Sequence, residues 1–223
     1  MISATLMAQI EQKLPPSCRQ EGSALLSSVT SVVADLGIPT GVSNRHVHLC
    51  QADIEALFGA GYQLTPIKEL KQPGQFAAKE CVTIVGPKGS IQRVRVLGPA
   101  RAETQLEVSK ADCYTLGVQA PVRESGDLTS SADALLVGAA GFCHLDSKVI
   151  CAQRHIHMSQ EDAMRFQVQN GQRVKVRAGG GCGLVFEQVV VRVSPAYALE
   201  FHIDTDEANA AGLRSGQDVF LTE

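Results

Sequence analysis

Tryptophan is absent from these 223 residues, and aromatic side chains together make up only 4%. That scarcity argues against a base-stacking surface for single-stranded nucleic acid. The formal charge is only −3, so no strong net field draws the chain to nucleic acid or to an anionic membrane. No apolar run approaches the ~20 residues of a membrane-spanning helix. The start lacks a basic segment followed by a long apolar core, which speaks against a secretory signal. Seven cysteines are present (Cys18, Cys50, Cys81, Cys113, Cys143, Cys151 and Cys182), and none stands in Cys-x-x-Cys spacing. An odd count without a secretory signal suggests reduced thiols in a cytoplasmic compartment. Most read as small hydrophobes in strands, with Cys50 and Cys151 as candidate nucleophiles because they lie close to the histidine motifs.

What the chain does have is a repeated histidine pattern. Ser43-Asn44-Arg45-His46-Val47-His48-Leu49 recurs as Ala152-Gln153-Arg154-His155-Ile156-His157-Met158. Each copy is an Arg-His-x-His step inside an apolar run. In an extended strand side chains alternate faces, so His46 and His48 share one face, as do His155 and His157. Two imidazoles on one face are a metal-ligand pair that needs a third donor.

Extending the repeat supplies it. Both motifs run into a short helical stretch with an Asp (Asp53, Asp162) and then a glycine (Gly61, Gly171). A pair of β-branched strands follows in each half: Val82–Val85 with Val94–Leu97, and Val174–Val176 with Val189–Val193. The halves close with Gln105-Leu-Glu-Val-Ser109 against Glu200-Phe-His-Ile-Asp204, which sets Glu107 opposite His202. Two three-donor sets result: His46, His48, Glu107 and His155, His157, His202. Both suit a divalent transition metal, zinc before others, and three protein donors leave a position open for water or substrate.

At this length one large or two small domains are expected, and the repeat favours two. Valine-rich strands, many glycines and short helices predict a mainly β chain of barrels or sandwiches with small helical caps. The boundaries read as 39–135 and 136–223. Before them, Ile2, Leu6, Ile10 and Leu14 make an apolar stripe on a helix within 1–20 that Pro15-Pro16 stops. It suits either a docking peptide or a helix folded onto its own domain. A second amphipathic helix and linker fill 21–38. Ser159 with Asp162 can cap the helix after the second motif, whereas Cys50 is a poorer cap after the first. Glu124 to Asp133 reads as a long loop, and Gly179-Gly-Gly-Cys-Gly183 as a hairpin turn rather than a phosphate cradle.

The segments GVSNRHVHL, LKQPGQFAAKECVTIVGPKG, VRVLGPARAETQLEVS, AQRHIHMS and RVSPAYALEFHIDTDEANAAG resemble the PduL-type phosphate propanoyltransferases, the phosphotransacylases of bacterial microcompartments. The likeness runs from about residue 39 to 214. It implies two β-barrels with two zinc ions in the cleft between them, and a first histidine strand that can cross into the second barrel. The family's zinc ligands match the two donor sets above. Its phosphate-binding arginine matches Arg101, and further site positions match Gln72 and Ser125. The implied reaction converts a short-chain acyl-CoA, propanoyl-CoA first, and phosphate into acyl phosphate and CoA. The implied setting is a cytoplasmic microcompartment such as those of propanediol degradation. There residues 1–20 would act as an encapsulation peptide toward shell or lumen proteins. A homo-oligomer is compatible with this; nucleic acid and membrane are not expected partners.

Three rivals frame these expectations. A two-domain cupin also places His-x-His on a barrel strand, but takes a Glu a few residues later, and only Glu161 in the second copy offers one. A thioester hydrolase would differ only in using water instead of phosphate. A metal-stabilised scaffold component would leave the open coordination positions and Arg101 without a purpose.

Overall fold

The computed structural model describes residues 36–223. The apolar stripe of residues 1–20 and nearly all of the second amphipathic helix, with Cys18 between them, lie outside the described residues.

In chain order the elements are β1 (Gly37–Ser43), β2 (His46–Cys50), α1 (Gln51–Phe58), β3 (Pro66–Glu69), β4 (Phe76–Val85), β5 (Ser90–Arg101), β6 (Gln105–Glu107), α2 (Lys110–Leu116), β7 (Val122–Arg123), β8 (Ala132–Val137), β9 (Phe142–Ala152), β10 (His155–Met158), α3 (Gln160–Arg165), β11 (Arg173–Ala178), β12 (Leu184–Val193), β13 (Glu200–Asp204), α4 (Thr205–Ala211) and β14 (Asp218–Thr222). The chain is mainly β and forms two closed barrels of six strands. One runs β1-β13-β10-β12-β11-β14 and closes where β14 pairs back on β1. The other runs β4-β5-β2-β6-β9-β8 and closes where β8 pairs with β4. Strands β3 and β7 flank the second ring.

Each ring encloses its own apolar core, as period-two alternation requires. Val47, Leu49, Val82, Leu106, Leu136 and Val149 fill one barrel. Ile38, Ile156, Met158, Val176, Val191 and Phe201 fill the other. Val47 and Leu49 thus face inward from β2, which turns His46 and His48 outward. The same holds for Ile156 and Met158 against His155 and His157 on β10.

Each barrel takes one strand from the opposite half. β1 immediately precedes the histidine strand β2, yet it pairs in parallel with β13 in the second barrel. β9 immediately precedes the histidine strand β10, yet it pairs in parallel with β6 in the first barrel. The strand that crosses is therefore β1, while β2 stays in the first barrel between β5 and β6. Division of the chain at 135/136 follows the sequence repeat, and the barrels in space do not, because Gly37–Ser43 and Phe142–Ala152 have changed places.

The crossings are only two residues long, Asn44-Arg45 and Gln153-Arg154. Each arginine anchors its crossing to the helix that follows the third-ligand strand. Arg45 pairs with Asp112 at 2.7 Å, and Arg154 pairs with Glu207 at 2.7 Å. Asp112 and Glu207 are the N3 residues of α2 and α4, both closed by capping boxes from Ser109 and Asp204. Ser159 and Asp162 form the same box on α3, whereas Cys50 gives α1 no side-chain cap. Gly179–Gly183 joins the antiparallel pair β11 and β12, as a hairpin turn does.

Arg45→Ala would leave the buried Asp112 carboxylate without its cation. The expected cost is about 1–3 kcal/mol in urea denaturation, the usual penalty for a buried polar group stripped of its partner. A change below about 0.5 kcal/mol, within the range of an ordinary surface substitution, would show that the crossing is held by other contacts.

Candidate active site

His46, His48, Glu107, His155, His157 and His202 line one cleft of about 660 Å³, together with Arg101, Gln72 and Ser125. Antiparallel register places the third donor of each set directly across from the first histidine. His46 pairs with Glu107 between β2 and β6, and His155 pairs with His202 between β10 and β13. Within each set the donor atoms lie no more than 4.8 Å apart.

The chain crossings orient the leading imidazoles. His46 Nδ1 lies 2.8 Å from the Asn44 carbonyl, and His155 Nδ1 lies 2.8 Å from the Gln153 carbonyl. A carbonyl can only accept, so Nδ1 carries the proton and Nε2 keeps its lone pair for a ligand. His157 is buried with neither ring nitrogen hydrogen-bonded to the protein, and its ring stacks on Tyr197 at 4.0 Å. A buried imidazole with no polar partner is costly unless something else binds it. Clustered neutral imidazoles, fixed tautomers and one carboxylate are a donor set that fits divalent zinc.

The electrostatics agree with that donor state. Burial, then the nearby His46 and Arg101, lowers His48 from 6.5 to about 3. Burial, then His155 and His202, lowers His157 to about 2. Burial, then His202, lowers His155 to about 4. Burial pushes Glu107 upward, but His46, His48, His155 and Arg101 outweigh it and hold the carboxylate at about 2. His155 belongs to the opposite set, so each donor cluster lies within the field of the other.

Arg101 ends β5 and reaches toward Ser125 Oγ at 3.5 Å. Burial, then Arg192, lowers its pKa, while Glu107 supports the charge. The nearby Glu103 pairs with Lys148, which leaves Arg101 facing the cleft. The 124–133 loop delivers Ser125, whose Oγ donates to Glu107 Oε1 at 3.3 Å and accepts from Gln105 Nε2 at 2.8 Å. Gln72 comes from the β3–β4 turn and bridges to the second barrel. Its Nε2 donates to the Ala198 carbonyl at 3.0 Å and to Glu200 Oε2 at 3.2 Å, and its Oε1 accepts from Ala198 N at 3.2 Å.

Sequence reasoning passed over Arg192, Tyr197 and Glu200, which also line the cleft, and Gln105, which bonds to Glu107 and Ser125. Gln105 and Glu200 were open to discovery, since each stands two residues before a candidate donor on the same strand face. Arg192 lies opposite His157 between β10 and β12, a pairing that only the register reveals. Cys50 and Cys151 are absent from the cleft lining. Cys50 Sγ donates to Asp53, and Cys151 is buried against Cys113 at 3.8 Å. Glu161 is exposed on α3 and apart from both donor sets, so the third position of a cupin is not built here.

Fold and site together define a double-barrel protein whose two His-x-His strands bring two metal-competent donor sets into one cleft. Residues 39–214 match the family model described as phosphate propanoyltransferase. The chain belongs to that family and is a phosphate acyltransferase. It is 55% identical over 188 residues to the phosphate propanoyltransferase of Thermotoga maritima, covering 84% of this chain and 90% of that one. It is 51% identical over 174 residues to the enzyme of that name from Enterococcus faecalis, covering 78% and 82%. It is 47% identical over 207 residues to that of Priestia megaterium, covering 89% and 95%.

The low imidazole pKa values carry a stability consequence. The unfolded chain protonates His48, His155 and His157 near 6.5, whereas the folded chain resists until about pH 4 or below. Stability is therefore present above about pH 6.5 and is lost as pH falls through that window. Metal-free protein is expected to unfold at progressively lower urea between pH 6.5 and 4, and His157→Gln is expected to flatten that slope. An unchanged slope in the variant would assign the effect to other groups.

Proposed function

We propose that this chain catalyses acyl-CoA + phosphate ⇌ acyl phosphate + CoA, with propanoyl as the acyl group and a divalent ion, zinc, at each donor set. The observation that carries this reading is the confluence of two complementary donor sets and a half-buried arginine in a single cleft. His46, His48 and Glu107 would hold one ion, and His155, His157 and His202 the other. Such ions supply thiolate stabilisation and carbonyl polarisation when bound.

The chain's own groups do the rest. Arg101 offers a planar, doubly donating fork to a phosphate dianion. Ser125 adds a hydroxyl within reach of Arg101, and Arg192 supplies further positive field. No protein nucleophile is needed, because phosphate held beside the thioester attacks its carbonyl carbon directly. The C–O bond forms, the C–S bond breaks, and the sulfur leaves with the electron pair. Proximity and preorganised charge then provide the rate acceleration.

The decisive measurement is free CoA thiol released from propanoyl-CoA, with and without phosphate, by zinc-loaded and chelator-stripped protein. Release is expected only with phosphate and metal together. Release without phosphate would make the protein a hydrolase, and release from stripped protein would remove the metals from the reaction. His202→Ala is expected to lose one ion and turnover. Arg101→Ala is expected to keep both ions and raise the phosphate requirement by tenfold or more, since one lost charge-assisted contact of about 1.5–3 kcal/mol corresponds to that factor.

We further propose that residues 1–20 carry the chain into a bacterial microcompartment through shell or lumen proteins, on the strength of their apolar stripe. No described helix is long and apolar enough to cross a membrane. Deleting 1–20 is expected to leave turnover unchanged and to abolish co-purification with assembled compartments. Retained co-purification would reassign that segment.

A further inference from the structure

The strand carrying the third ligand reads Gln105-Leu106-Glu107 in the first half and Glu200-Phe201-His202 in the second. Each half thus has one carboxylate at these two positions, in opposite order. The register is equivalent: Gln105 lies across from His48, and Glu200 lies across from His157. In both halves the residue two before the ligand touches it. Gln105 Nε2 donates to Glu107 Oε1 at 2.6 Å, and His202 Nε2 lies 2.9 Å from Glu200 Oε2.

Glu200 is held in place from both barrels. Gln72, from the first half, donates to its Oε2. Gly41, on the exchanged strand β1, makes room for it, since a methyl group there would sit 2.7 Å from Glu200 Cδ. The carboxylate is buried, and among the described residues the basic side chain within 4.0 Å of it is His202. A simple clamp between barrels would not require this charge, because Gln72 already bonds both the N–H and the carbonyl of Ala198. A buried carboxylate is costly without a positive partner.

We infer that Glu200 is a positioning residue of the all-histidine set, orienting His202 and supplying the negative charge with which that set holds a divalent cation. Three neutral imidazoles around a dication leave two positive charges, whereas the set containing Glu107 leaves one. Glu200 restores parity between the halves from two residues upstream. The inference rests on the proposal that both sets bind metal. Carboxylate partners of ligating histidines are worth about 10–100-fold in metal affinity.

The test is zinc titration of the full-length chain against a chromophoric chelator, for the unaltered protein, Glu200→Gln, Gly41→Ala and His202→Ala. Two ions are expected for the unaltered protein and one for His202→Ala. Glu200→Gln should weaken one ion by about 10–100-fold and leave the other unchanged. Gly41→Ala, which displaces the carboxylate without deleting it, should weaken the same ion. In a His202→Ala background, Glu200→Gln should not alter the remaining ion. Urea unfolding of the metal-free protein should be the same with and without Glu200→Gln. Two ions bound at full strength by Glu200→Gln would overturn the role of Glu200 and leave the metal reading intact. Weaker metal binding that merely tracks a fall in metal-free stability would also overturn it, as a structural effect. Absence of bound zinc in the unaltered protein would overturn both.

Discussion

The site depends on the reciprocal exchange of β1 and β9 between the barrels. Each closed ring needs a sixth strand, and each obtains it from the other half. Since the chain must pass from one ring to the other within two residues, the first histidine of each motif emerges at a crossing. The carbonyls of the crossing, Asn44 and Gln153, are then in place to fix the imidazole tautomer. The arginines of the crossing lock it to the helices behind β6 and β13. The repeated Arg-His-x-His step is thereby a structural unit: the arginine holds the crossover, and the histidines use it.

Bringing paired imidazoles and a carboxylate into one cleft is electrostatically consistent only in a particular charge state. Burial opposes protonation of His48, His155 and His157, while Arg101 and the surrounding His46, His48 and His155 favour the ionised form of Glu107. Imidazole lone pairs and a carboxylate oxygen are therefore presented together near neutral pH. Arg101 and Arg192 border the same space, which favours an anionic reactant beside the donor sets.

The donor sets were legible in the sequence because both signals they depend on are local. Period-two alternation puts paired histidines on one face, and aligning the halves finds Glu107 and His202 without knowledge of the fold. Two domains followed from the same repeat, whereas composition left barrels or sandwiches open and the resemblance implied barrels. The exchange of β1 and β9 was not legible, because a strand's neighbour across a parallel pairing leaves no mark in its own composition. For the same reason Arg45 and Arg154 read as part of a motif whose purpose was hidden: their partners, Asp112 and Glu207, are distant in sequence. Gln72 was named by resemblance alone, for substrate binding. Its bonds to Ala198 and Glu200 explain why a side chain from the first half is needed by the second.

The exchanged strands also bear on how such a chain could have arisen. A polypeptide consisting of one repeat would carry a leading strand that has no place in its own barrel and a barrel that lacks its sixth strand. Two copies related by a twofold axis could complete one another, each inserting its leading strand into its neighbour's ring. Joining those copies end to end would preserve every strand pairing and free the halves to diverge. The third-ligand positions then record the divergence: one copy keeps Gln before Glu, the other Glu before His, in what is otherwise the same strand. On that view, the cleft is a former subunit interface that has become covalent.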